Sequence, residues 1–384
     1  MEAGRSTLSP YDASVTPIKM PSQLRDLLSG SPFEAATIEL AQATGLLVQD
    51  NGTPFFPAYT DHATQHVEHV LDAAVRLIPD EVWSAELLQP ADAAVLGGAA
   101  MLHDLALHIR EVGFVELVAA STNYNPQPWF STEQVGRIAD IGWPQLWESF
   151  QYEARHFGTS QLELILGPGC NGVPLVAHDE TLRPESWTKA DRLLIGEFLR
   201  RHHARLSHEI AMHGFPGATP DDFPVLARSL APLANAVGAV ARSHNEPLRS
   251  MLDYLEYLDP GSKRPAGALL AYHMGLLRVA DYLQVQSDRA PPLLLRLKAP
   301  QSPASIEEWN KHGAIASIVW EHRDPRAIYV AASQHHGLRT HLALRELFDG
   351  LQREFDTTTA VLGDIFHADT RAAAPDKAPG SDEP

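Results

Sequence analysis

The sequence predicts a mainly α protein closed by a small α+β carboxy-terminal module. Apolar residues recur at helical spacing in segment after segment from Pro21 to about Pro292, and strand-like runs are confined to the stretch after that. With 384 residues, 44% of them hydrophobic, the chain can bury a sizeable core.

The first twenty residues are polar and punctuated by proline, so a disordered amino terminus over 1–20 is expected. Helical patterns then cover Ser31–Gly45, Gln65–Ile78 and Pro90–Leu107. In the second of these, His66 shares a stripe with Val70, Ala73 and Leu77, which turns its ring inward. Further helices are expected over Thr132–Ile141, Trp147–Gly158, Lys189–His213, Val225–His244, Leu248–Leu258 and Pro265–Val285. Two stretches break the pattern: Ala119–Trp129, with Asn, Pro and aromatics, and Gly167–Pro184, with repeated Gly and Pro, read as long loops. Both belong to an insert around 110–188, which suits a lid or specificity element as well as it suits a plain helical elaboration.

Beyond the Pro265–Val285 helix the pattern changes. Leu293–Leu297 reads as a short strand, and Ala314–Glu321 with Ala327–Ser333 reads as a hairpin turning through His322–Arg326. A last helix over Thr340–Phe366 carries Leu342, Leu344, Leu347, Leu351 and Phe355. The remainder is rich in Ala, Pro, Asp and Gly, the composition of a tail or linker. The expected organisation is therefore a helical domain over 21–292, a module over 293–367 and a disordered tail over 368–384.

Chemistry concentrates at His103-Asp104, an imidazole and a carboxylate side by side in the apolar stretch Ala93–Leu107. Burying such a pair is unfavourable unless something neutralises it, and a divalent metal is the natural partner. The flanks add to this. Asp61-His62-Ala63-Thr64-Gln65-His66-Val67-Glu68-His69 precedes it, and Arg201-His202-His203-Ala204-Arg205, Ala241-Arg242-Ser243-His244 and Arg278-Val279-Ala280-Asp281 follow, each with a His or Asp in an apolar helical pattern. In the helix Asp191–His213 the apolar rows leave His202 and His203 both near the buried face, so periodicity does not choose between them. Taken singly, His62, His69, His108, His156 and His213 read as hydrogen-bonded structural residues.

In the order His…His-Asp…His…His…Asp, these residues resemble the metal-binding series of the HD superfamily of metal-dependent phosphohydrolases, over roughly Phe55 to Pro292. More narrowly, Phe56–His62, Glu197–Arg205 and Leu277–Tyr282 resemble the prokaryotic HD-CE subgroup, often joined to an Hsp90-type ATPase domain. The resemblance implies an HD-type helical fold with His66, His103, Asp104 and Asp281 as ligands of a first divalent ion. It makes His203 and His244 the ligands of a second ion, bridged by Asp104, and favours His203 over His202. It also implies hydrolysis of a phosphate ester, most naturally a nucleotide, by metal-activated water, with Asp104 central to catalysis.

One departure matters. Many HD enzymes follow the pair with Gly-Lys, whose lysine handles phosphate, whereas this chain reads His103-Asp104-Leu105-Ala106-Leu107-His108. A phosphate-binding cation must then come from elsewhere. Arg205 and Arg278 are the catalytic candidates and Arg242 and Arg289 substrate-binding ones, because guanidinium groups grip phosphate oxygens bidentately; His62, one turn before His66, is the other substrate-binding candidate beside its structural reading. Imidazole and carboxylate donors suit one or two ions of Fe, Mn, Ni, Zn or Mg, and the lack of clustered thiols excludes a cysteine zinc site.

Thirty Lys+Arg against 48 Asp+Glu, a formal charge of −18, argue against broad nucleic-acid binding. The single cysteine, Cys170, excludes an internal disulfide and fits a cytoplasmic protein, and neither a signal peptide nor an apolar run of membrane-spanning length is visible. No glycine-rich nucleotide loop is present, so an ATPase would be a partner rather than this chain. The competing expectation is a metal- or nucleotide-binding sensor that signals to a partner protein through its carboxy-terminal module.

Overall fold

A computed structural model describes residues 17–49, 53–58, 64–126, 128–131, 140–179, 182–218, 230–285, 290, 292–320, 328–333 and 337–372. Its helices are α1 (Ser22–Leu28), α2 (Glu34–Gln49), α3 (Thr64–Arg76), α4 (Asp80–Ser84), α5 (Pro90–Leu102), α6 (Glu111–Val118), α7 (Trp143–Ala154) and α8 (Thr159–Leu166). They continue as α9 (Lys189–His213), α10 (Ala234–Ser243), α11 (Leu248–Leu258), α12 (Leu270–Tyr282), α13 (Pro292–Lys298), α14 (Pro303–Ala314) and α15 (Leu338–Ala372). Strands β1 (Ile315–Trp320) and β2 (Ile328–Ala332) stand between the last two and pair antiparallel, Val319 opposite Tyr329. The mainly helical class with a small α+β module is what the periodicity predicts.

Helix α5 is the axis of the helical part. Its sequence is apolar on every side, and all residues from Ala91 to Leu102 are buried, the signature of a helix surrounded by others. α1, α2, α3, α10 and α12 pack around it, and α9 lies against α10. Gly98 lets α10 come close: a Cβ there would sit 3.1 Å from Val237 Cγ1. The helix starts at Pro90 with a capping box in which Asp92 accepts from the Gln89 backbone N–H at 2.8 Å. It was expected to run on to Leu107, but it stops at His103, and Leu105–His108 forms a separate 3₁₀ turn. The break falls on the His-Asp pair and carries Asp104 off the helix end.

Inside the helical part, His208 of α9 is fully buried and hydrogen bonds Asn235 Oδ1 at 2.8 Å, an oxygen that also accepts from the Tyr254 hydroxyl at 2.8 Å. Burial, reinforced by the positive charge of Arg242, holds the His208 imidazole down at about 3. A folded-state value below the unfolded one means that its contribution to stability is complete above pH ~6.5 and is lost as pH falls from there toward 3. We expect unfolding in urea to show stability dropping by up to ~1.4 kcal/mol per pH unit below pH ~6.5 from this residue. His208→Gln should flatten that slope, and an unchanged slope in the variant would refute the assignment.

The carboxy-terminal part corrects one expectation. Leu293–Leu297, expected as a strand, is the body of α13. A short apolar run has no decisive period, and Leu, Arg and Lys behind a proline at the first turn favour a helix. Leu293 and Leu297 are 61% and 71% exposed, so no sheet face claims them. The hairpin strands do form, while residues 321–327 between them lie outside the described residues. So do 1–16 of the expected disordered amino terminus, 132–139 of an expected helix, and 225–229 of the expected Val225–His244 helix, whose described part is a 3₁₀ turn at Ala231–Leu233 followed by α10. Ile18, assigned by sequence to the disordered segment, is buried, and its N–H donates to Ala41 O at 3.2 Å. A small core of Ala314, Ile315 and Leu344 joins β1 to α15, and Val279, Leu283 and Leu351 join α15 to α12.

Candidate metal centre

Five elements deliver six side chains to one place. His66 comes from the first turn of α3, His103 and Asp104 from the break after α5, His203 from the middle of α9, His244 from just beyond α10, and Asp281 from the last turn of α12. Polar contacts stitch these elements together near the ligands. Ser207 Oγ of α9 donates to His103 O at 2.7 Å, and Gln284 Nε2, just past α12, donates to His69 O of α3 at 3.1 Å. At their opposite ends α5 and α12 are pinned by Asp92, which accepts from the Leu269 N–H at 2.7 Å and from His273 Nε2 at 2.8 Å.

The donors form two groups that share Asp104: His66, His103, Asp104 and Asp281 in one, Asp104, His203 and His244 in the other. In the first, His66 Nε2 lies 3.3 Å from His103 Nε2, 3.4 Å from Asp104 Oδ2 and 3.7 Å from Asp281 Oδ1. His103 Nε2 lies 3.3 Å from Asp104 Oδ2 and 3.6 Å from Asp281 Oδ1. In the second, His203 Nε2 and His244 Nε2 are 2.7 Å apart, and they lie 3.5 and 3.8 Å from the other oxygen, Asp104 Oδ1. One carboxylate thus turns one oxygen to each group.

Two observations test whether a metal suits these residues. The first is spacing: atoms bound at ~2.1 Å to a common ion sit roughly 3.0–3.5 Å from one another, close to most of these separations. The second is the tautomer. His103 Nδ1 lies 2.8 Å from Ala100 O, His203 Nδ1 2.8 Å from Arg200 O, and His244 Nδ1 2.6 Å from Ala241 O, each a carbonyl three residues earlier. A carbonyl only accepts, so each Nδ1 carries a proton and each neutral ring presents its Nε2 lone pair to the centre. Two such lone pairs 2.7 Å apart repel unless a cation or proton lies between them. Burial, together with the charges of His203 and His103, lowers His244 to about 4, which keeps that ring unprotonated near neutral pH. Burial also works against protonation of His103, but Asp104 and Asp281 outweigh it and hold that ring well above the ordinary histidine range. The cluster favours positive charge at its middle, and the His/Asp donor set could hold a divalent metal ion.

The structure resolves the choice that periodicity left open. His202 turns away from the cluster and packs against the rings of Trp143 and Phe198, where burial first and then Arg205 lower it to about 4, while its neighbour His203 joins the centre. Adjacent helical residues point about 100° apart, so only one of the two can face the site.

The arginines expected at the phosphate are engaged by carboxylates of this chain. Arg205 and Arg242 stand two residues from His203 and His244, an offset that turns a helical side chain to nearly the opposite face. There Arg205 pairs with Glu209 at 2.9 Å over the Trp143 ring, and Arg242 pairs with Asp140 at 2.8 Å and Glu246 at 2.9 Å over the Phe130 ring. Arg278 is engaged by Glu354 of α15. All three guanidinium groups, expected to grip phosphate, are instead matched internally, because a buried cation needs carboxylate partners. Glu209 stands four residues after Arg205 in the same helix, a spacing legible in the sequence, whereas Asp140 and Glu354 carried no such signal, since pairing across elements has no period. His62 and Arg289 lie outside the described residues.

The HD-CE family model matches residues 56–357. The chain belongs to the HD-CE family. No curated protein and no solved structure matches it significantly. All six ligand candidates of this HD-CE protein fall within the matched span. So do β1, β2 and most of α15, well past Pro292, where the sequence resemblance was drawn to end. Among the described residues no helix is long and apolar enough to cross a membrane.

Proposed function

We propose that this HD-CE protein is a metal-dependent phosphohydrolase that cleaves a phosphate ester, with nucleotides as the substrate class. The observation that carries the reading is the division of Asp104, whose Oδ2 faces His66 and His103 while its Oδ1 faces His203 and His244. That is the disposition a carboxylate would need to serve an ion in each group. Divalent ions in such a site supply Lewis acidity, lowering the pKa of water and offsetting charge on a phosphoryl oxygen.

The chain's own part is to hold and shield. His66 and His103 side chains are 1% and 0% exposed, and their rings wall the inner side of the centre. Asp281 is 28% exposed and marks the side open to a phosphate group. The hydrogen bonds from Nδ1 to helix carbonyls keep three of the four rings from turning, so ligand geometry is set before an ion arrives.

A regulatory reading is favoured by one observation: Arg205, Arg242 and Arg278 are all committed to carboxylates, so none of them is a free phosphate-gripping cation. A screen of nucleotides, cyclic nucleotides and single-stranded DNA with Mn²⁺, run on wild type and on His203→Ala and His244→Ala, separates the two. Enzyme action predicts phosphate or nucleotide release by wild type, and loss of about one metal equivalent together with turnover in each variant. No turnover of any substrate, with a nucleotide raising the melting temperature in a concentration-dependent way, would replace the enzyme by the sensor.

A further inference from the structure

Arg278 lies one turn before Asp281 on α12, and its guanidinium touches three residues of two other segments at once. Nε and Nη2 form a fork on the two carboxylate oxygens of Glu354 in α15, the Nη2–Oε2 distance being 2.8 Å. Nη1 donates to the backbone oxygens of Ser243 and Glu246, at the far end of α10. The pair is well enclosed, with side chains 11% and 10% exposed. α15 lies close along α12 here: a Cβ at Gly275 would come within 2.6 Å of Thr358.

The two ligands near Arg278 are held differently. Asp281 sits inside the last turn of α12, whereas His244 is the residue after α10, where the chain is held by longer backbone bonds of 3.3–3.4 Å, from the His244, Asn245 and Glu246 N–H groups to the Ala241, Arg242 and Ser243 carbonyls. The guanidinium adds a charged donor to the Ser243 and Glu246 carbonyls, the first of which otherwise has only the 3.3 Å bond from the Glu246 N–H, and complements the negative end of the helix. What keeps the guanidinium there is the fork on Glu354.

We infer that Glu354 and Arg278 form a relay by which the carboxy-terminal helix sets the position of His244, so that α15 controls affinity at the His203–His244 half of the metal centre. Arg278 is thus a positioning residue rather than a phosphate contact. The relay rests on the metal-centre reading above. It makes the carboxy-terminal module a control element of that centre: whatever shifts α15 along α12 alters the second ion's site and leaves the first in place.

Calorimetric titration of Mn²⁺ into the metal-free full-length chain tests this, because it reads each site's affinity without reference to activity. Wild type should take up two ions. Glu354→Gln, which keeps shape and removes charge, and Arg278→Lys, which keeps charge and cannot fork, should each weaken the second ion by ~10–100-fold and leave the first within about twofold. Arg264→Ala, which breaks the distant Arg264–Asp92 pair, serves as the control for loss of a structural ion pair and should keep the wild-type ratio of affinities. An unchanged ratio in Glu354→Gln and Arg278→Lys, whatever their melting temperatures, would overturn the relay. A wild-type chain that binds a single ion would overturn it too while sparing a one-ion centre, and a chain that binds none would remove the centre itself.

Discussion

Asp104→Ala is expected to abolish ion retention in both halves of the centre and, with it, the proposed hydrolysis. Among the described residues no other side chain belongs to both donor groups, so its removal takes one ligand from His66, His103 and Asp281 and another from His203 and His244. The loss should exceed the ~10–100-fold typical of residues that merely support a ligand. It should appear in metal analysis of purified protein as well as in the substrate screen. Asp104→Asn sharpens the test: it keeps the shape and one carbonyl donor but lacks the charge that favours a cation, so it should retain at most one ion weakly. If Asp104→Ala protein carries the wild-type complement of metal, the shared-carboxylate reading is wrong.

The largest loss of folding stability is expected from Asp92→Ala. This carboxylate is 1% exposed and accepts from Gln89 N–H, Leu269 N–H, His273 Nε2 and Arg264 Nη1 at 2.7–2.9 Å. Burial alone would raise its pKa, but the hydrogen bond and charge of His273, followed by the Leu269 and Gln89 N–H groups, bring it to about 2. A depressed carboxyl pKa contributes stability that is complete above the unfolded value of ~3.9 and is lost as pH falls through 2, so at pH 7 the whole contribution is present. Alanine leaves these donors facing a void, and breaking a buried pair in this way costs about 3–5 kcal/mol. Urea unfolding of wild type and variant at pH 7 measures it. Arg264→Ala, with a side chain already 30% exposed, should cost much less. A change below about 1 kcal/mol for Asp92→Ala would show that the pin between α5 and α12 is not structural. Because both helices begin at this pin and end at candidate metal ligands, the same variant should also weaken ion binding.

How much of this was legible in the sequence follows from which patterns have a period. The inward stripe of His66 with Val70 and Ala73, the all-apolar run that became α5, and the bounds of α9 and α11 are local patterns, and the structure reproduces them. Leu293–Leu297 was misread because a short apolar run fits strand and helix alike. The stop of α5 at His103 was missed because no glycine or proline marks it; tertiary contacts such as the Ser207 hydroxyl on His103 O meet the chain there.

The same division runs through the site. Sequence by itself determined that this is a helical HD-CE chain with a His/Asp series in a set order, because family membership and helical spacing are written along the chain. Only the tertiary structure decided that His203 rather than His202 enters the centre, and that Asp104 splits its oxygens between two groups. It alone decided that Arg205, Arg242 and Arg278 turn to Glu209, Asp140 and Glu354. The reason is physical: a side chain's direction along its own helix is local, as is the i,i+4 pairing of Arg205 with Glu209, but Asp140 and Glu354 reach Arg242 and Arg278 from other elements, and no spacing along the chain records that meeting.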